Sequence, residues 1–167
     1  MVELRIIVDK MKLRYEGLFN MSELYNLVDS WLEEKNYDKF EKANSEQVTP
    51  SGKHIWWQFY PWKKITDYAR HIIKIECAMS NVKEVEVERD GVKVRLNQGE
   101  VEFAFTGYLE TDYENRWESK AIYYFIRTIF DKFIYKIYTD KFTGSLVDDV
   151  NTLARLIKSY LNMHKYR

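Results

Sequence analysis

One cysteine, two prolines and six glycines leave little room for several kinds of protein. The lone Cys77 excludes an internal disulfide framework and any cysteine-rich zinc site, and it fits cytoplasmic residence better than secretion. Lysine and arginine equal aspartate and glutamate at 26 each, so no overall field points to nucleic acid or to an anionic membrane. No long apolar run is present either. The most apolar stretch, Ala121 to Tyr138, is interrupted by Arg127, Asp131, Lys132 and Lys136, whereas a membrane-crossing helix needs about 20 nearly uncharged residues. The opening MVELRIIVDK has acids within its short apolar run and no small-residue cleavage site, so a signal peptide is not expected. Repeats, low-complexity tracts and Pro/Gly/Ser linkers are lacking. Both prolines, Pro50 and Pro61, fall between predicted strands, which leaves a single domain over residues 1–167.

What the chain has is aromatic and apolar residues in quantity. At 46% apolar content it can bury a sizeable core, and 13 tyrosines suit half-buried sheet positions where the ring packs and the hydroxyl stays wet. Charge is uneven along the chain: acids outnumber bases in residues 84–118, and bases outnumber acids in 119–167.

Alternation at Leu4, Ile6 and Val8 resumes out of phase at Met11, Leu13 and Tyr15. One extra residue near Asp9-Lys10, as a β-bulge or a tight hairpin turn, produces such a shift. The bulge is preferred, because a hairpin would set Arg5 opposite Arg14. Asn20-Met21-Ser22-Glu23 has the form of a capping box and predicts a helix from about Met21 to Lys35, with Leu24, Leu27, Val28, Trp31 and Leu32 on one stripe. The charged pattern of Tyr37 to Val48 predicts an edge strand. Strands follow at His54 to Tyr60 and at Tyr68 to Met79.

Asp90-Gly91 is the favoured centre of a type I′ turn, setting Val87 opposite Val94, Val85 opposite Leu96, Glu88 opposite Lys93 and Glu86 opposite Arg95. A second two-residue turn at Gln98-Gly99 would fold Val101 and Phe103 back against Leu96 and Val94, extending a ladder of Glu86, Arg95 and Glu102. Two closing helices are then predicted. The first spans about Trp117 to Tyr138, with Phe125, Ile129 and Phe133 in its apolar arc. After a loop over Thr139 to Gly144, the second starts at Ser145, with Leu146, Val150, Leu153, Ile157 and Tyr160 on one face. The fold class is α+β: an antiparallel meander sheet with one helix after the first strand and two C-terminal helices packed on it.

That order of strand, helix, run of antiparallel strands and C-terminal helix packed back on the sheet resembles the helix-grip fold of START and Bet v 1-like proteins. The resemblance implies an apolar cavity between sheet and closing helix that takes a small hydrophobic ligand. Here its lining would be Trp57, His71, Phe103, Phe105, Phe125, Ile129 and Phe133.

No catalytic or metal motif is present. His54, His71 and His164 lack HxH or HExxH spacing, so no metal and no cofactor are expected. His71 and Cys77 share the inner face of one strand about 20 Å apart, beyond any nucleophile–base contact. Cys77 reads as a small buried residue, and His71 as a core histidine facing Trp57. The basic surplus of 119–167 could follow a phosphate backbone, but a polar helix face is the simpler reading.

The segment from Trp56 to Tyr68 is the most unusual. If Ile55, Trp57 and Phe59 face the core, alternation turns Trp56 and Tyr60 to the opposite face, beside Tyr68 and Ile72. Either the first helix or the N-terminal strand covers that second face, or it is an exposed patch of the kind that marks an interface. The functional expectation is a noncatalytic interaction module, a homodimer or a protein binder, acting through Trp56, Tyr60, Trp62 and Tyr68. The alternative is a helix-grip-type carrier or enzyme for a hydrophobic small molecule. Nucleic-acid binding through the basic C-terminal helices is the weaker third option.

Overall fold

Along the chain run β1 (Glu3–Phe19), α1 (Met21–Glu34), β2 (Glu41–Thr49), β3 (Gly52–Phe59), β4 (Trp62–Lys64), β5 (Ala69–Arg89), β6 (Val92–Thr111) and α2 (Tyr135–Lys165). The computed structural model describes residues 2–113, 125, 128–129 and 135–165. The strands form one antiparallel sheet in the order β1-β6-β5-β3-β2, with β4 also pairing with β5. β3 and β4 lie along the same side of β5, interrupted at Pro61, which has no N–H to give to a ladder but whose carbonyl accepts from Ile73 N–H at 2.9 Å.

The first strand is continuous, not a hairpin, but its pairing with β6 slips twice, between Ile6 and Val8 and again between Val8 and Met11, where Lys10 takes a left-handed φ of 43°. Leu4 and Ile6 therefore lie on the opposite face from Met11 and Leu13, where one expected bulge would have kept them together. Asn20 caps α1, its side chain accepting from Glu23 N–H at 3.1 Å, and Asn97 on β6 accepts from Met21 N–H at 3.0 Å. The helix start is thereby tied to the sheet. The Asp90-Gly91 turn has the expected register, and both residues have positive φ, 52° and 77°.

The second turn does not exist. β6 runs unbroken through Gln98 and Gly99, Gly17 of β1 is its partner at Gly99, and Glu102 pairs with Arg14 and Ala78 instead of with Arg95. Glycine at 99 serves a close approach: a Cβ there would lie 2.9 Å from the Ser80 carbonyl oxygen. Opposite it β5 bulges between Ser80 and Lys83, with Asn81 at φ 55°, so two predicted strands are one bent strand of 21 residues.

The predicted loop over Thr139 to Gly144 is also overturned. α2 runs through it, so Gly144 is helical and Ser145 is not an N-cap. A mid-helix glycine costs about 1 kcal/mol. The buried stripe of Leu146, Val150, Leu153 and Ile157 outweighs that, at about 1.5–3 kcal/mol for each large apolar side chain. Most of the predicted helix over 117–138 lies outside the described residues.

Both helices pack on one face of the sheet. The core joins Leu24, Val28, Trp31 and Leu32 of α1, the α2 stripe, and inward residues of β3, β5 and β6 from Trp57 to Phe105. No helix among the described residues is long and apolar enough to cross a membrane.

Candidate functional site

Period-two alternation divides the strands strictly. On β3, Trp57 is 6% exposed in the core while its neighbour Trp56 is 37% exposed on the other side. Cross-strand register turns the outer residues into rows. One row runs Ser45, Trp56, Ala78, Glu102, Arg14 from β2 to β1. A second, further along, is apolar: Trp62, Ile72, Tyr108, Ile6. Between them lie Gln58, Glu76, Ala104 and Lys12, and beyond the apolar row lie Lys64, Arg70, Glu110 and Leu4. One apolar row is thus set among rows that carry charge.

Several charges on this face are paired within it, while Glu16 and Glu100 stand opposite each other on β1 and β6. Arg14 Nε lies 2.7 Å from Glu102, Lys74 Nζ lies 3.2 Å from Glu76, and Arg70 pairs with Glu110 while its guanidinium stacks over the Trp62 and Tyr113 rings at 5.4 and 5.1 Å. The outer face thus presents rings and aliphatic surface framed by neutralised ion pairs. α1 and α2 both serve the inner face and do not cross the outer one.

Trp56, Tyr60 and Trp62 are accordingly gathered on the outer side, with Tyr68 half-buried at the turn entering β5. The residues named for a cavity are dispersed. Trp57, Phe103 and Phe105 are buried in the core, with Trp57 edge-on to Tyr25 at 5.3 Å and the two phenylalanine rings stacked at 5.7 Å. Phe125 and Ile129 are helical but 66% and 45% exposed, and Phe133 lies outside the described residues. His71 does not face Trp57: Trp57 stands opposite Cys77, and His71 stands opposite Lys63.

Around His71 is a buried polar cluster that spacing could not reveal. Asp149 of α2 accepts at Oδ2 from the Tyr37 hydroxyl at 2.7 Å and from Lys63 Nζ at 3.0 Å, and the same ammonium lies 4.5 Å from the Tyr37 ring centre. Tyr37, Lys63, His71 and Asp149 come from four separate elements, and hydropathy alone would place the lysine and aspartate in water. Burial, then the hydrogen bond and charge of Asp149, push the Tyr37 hydroxyl pKa up. His71 is fully buried with no hydrogen-bond partner on either ring nitrogen. Desolvation, then the Lys63 charge, lower its pKa to about 4, against an opposing pull from the Phe142 backbone and Asp149. The cluster clamps α2 to the sheet.

It contains no activated nucleophile. Cys77 stands three strand pairs away along β5, and burial pushes its thiol pKa up, away from the reactive thiolate. Among the described residues no three His, Cys, Asp or Glu side chains converge as metal ligands. No family model, curated protein or solved structure matches this chain.

Proposed function

We propose that this protein is a noncatalytic interaction module whose binding surface is the outer face of the sheet, centred on Trp56, Tyr60 and Trp62. The observation that carries this reading is the apolar row Trp62, Ile72, Tyr108 and Ile6, together with the exposed Trp56, on the face opposite both described helices. Trp56 is 37% exposed, so covering it recovers a part of the roughly 1.5–3 kcal/mol that full burial of a large apolar side chain gives, and aromatic centres framed by charge are the composition of interface hot spots. The arrangement of the pairs matters too. Arg14 with Glu102 and Arg70 with Glu110 satisfy each other, so a partner can cover these pairs without stranding their charges.

The test is a photo-crosslinking amino acid placed at Ser45, the exposed neighbour of Trp56 on β2, with Ser159 on α2 as the control. In the source cells the Ser45 position should give a discrete adduct that disappears when Trp56→Ala and Tyr60→Ala are combined. Equal adducts from both positions, or none from Ser45, would refute the reading.

A helix-grip-type carrier is the second reading. It is supported by the strand order, with β1 beside the last strand and β2 at the far edge, and by the single long α2 over the inner face. The stacked Phe103 and Phe105 and the edge-on Tyr25 and Trp57 argue instead for a filled interior. An apolar dye bound stoichiometrically and displaced by a fatty acid would favour the carrier.

A further inference from the structure

Resting on the interaction reading above, we propose that the occupant of the outer face is a second copy of this chain, docked sheet to sheet about a two-fold axis along β5. The face carries both halves of such a contact. Trp56 projects from β3, and directly beside it a depression of about 530 Å³ opens over Ala78 and Ser80, walled by Arg14, Glu16, Glu100 and Glu102. An isologous interface requires that one patch supply projection and recess together.

β5 is the middle strand of the order β1-β6-β5-β3-β2. A two-fold axis along it lays β3 and β4 of one copy over β6 of the other. Trp56 then enters the partner copy's depression, and the partner copy's Trp56 enters the first. The apolar row falls on itself, Trp62 over Tyr108 and Ile72 over Ile72, while Lys64 lies over Glu110. One operation thus matches projection with recess and the apolar row with itself, while Arg70, Lys74 and Glu76 on the axis strand meet their own symmetry mates, each held by an ion pair within its copy. The size also fits: five strands about 4.8 Å apart, over about ten residues at about 3.3 Å each, present roughly 800 Å². That is about what each partner contributes to a stable interface.

Sedimentation equilibrium of the full chain tests this. The wild type should be a dimer, and Trp56→Ala, which removes the projection, and Ala78→Arg, which fills the recess, should each raise Kd by about tenfold or more. Both sites lie on the outer face, so circular dichroism should stay close to wild type, and the melting temperature should fall to about the value the wild type reaches on dilution. Mixing the two variants should give more dimer than either alone, because the Ala78→Arg copy keeps its Trp56 and the Trp56→Ala copy keeps its recess. A monomeric wild type at the highest attainable concentration, a dimer indifferent to both substitutions, or no gain on mixing would overturn the proposal. If the wild type is monomeric but the Ser45 crosslinker captures a different protein in a Trp56-dependent manner, the second copy is excluded and the interaction reading stands. No adduct of any kind removes both.

Discussion

Protonating His71 should cost this fold a measurable part of its stability, in a window set by one burial. The ring is fully buried beside Lys63, and its pKa falls from 6.5 to about 4. Below pH 6.5 an unfolded chain accepts a proton on this histidine that the folded chain refuses, so the unfolded state binds more protons and stability falls as pH falls. The contribution is complete above the unfolded value, declines between pH 6.5 and about 4, and changes no further below that. At about 1.4 kcal/mol per unit, the full loss is about 3 kcal/mol. Urea denaturation of the wild type and of His71→Leu at a series of pH values isolates the effect, since carboxylate titration is common to both. The wild-type minus variant difference should shrink by about 3 kcal/mol across the window. Parallel curves, or a His71 ring that titrates near 6.5 by NMR in the folded protein, would refute the reasoning. The NMR measurement stands even if the variant folds poorly.

Three further substitutions test the architecture. Asp149→Ala leaves the buried Tyr37 hydroxyl and Lys63 ammonium without their shared acceptor and should cost about 2–3 kcal/mol, read from denaturation midpoints. Gly91→Val meets no neighbour within 4 Å, so its cost comes from the backbone alone, a φ of 77° that a β-branched residue resists by about 1–2 kcal/mol; unchanged thermal stability would contradict the turn geometry. Gly99→Ala should cost about 1–3 kcal/mol, because the new methyl falls 2.9 Å from the Ser80 carbonyl oxygen, whereas a residue at an exposed turn would tolerate it.

What could be read from sequence was whatever depended on near neighbours. Asp90-Gly91, Asn20 with Glu23 and the opposed faces of Trp56 and Trp57 all follow from local chemistry or a period of two, and each has its expected geometry, whereas β1 slips twice where one bulge near Lys10 was expected. Gly99 was misread because its glycine answers to a distant constraint, the close approach of β5 at Ser80 and the pairing with Gly17. Gly144 was misread as a stop because propensity is weaker than the stripe of Leu146, Val150 and Leu153 that carries α2 onward. The clamp of Tyr37, Lys63 and Asp149 left no sequence signal at all: each residue is unremarkable in its own element, and only the docking of α2 against β4 brings them together. For the outer face, sequence placed the rings on a shared side. The recess over Ala78 and Ser80 depends on how β5, β6 and β1 align, and the sequence pattern names no partner for β1.

The central claim is that Trp56, and not the core, meets the partner. Labelling the five tryptophans with 5-fluorotryptophan gives each its own ¹⁹F resonance, assigned by single Trp→Phe substitutions. From dilute to concentrated solution, the Trp56 and Trp62 signals should shift together along one binding curve while the buried Trp31 and Trp57 signals stay still. Invariant Trp56 and Trp62 signals, or a concentration-dependent shift at Trp57, would contradict the account.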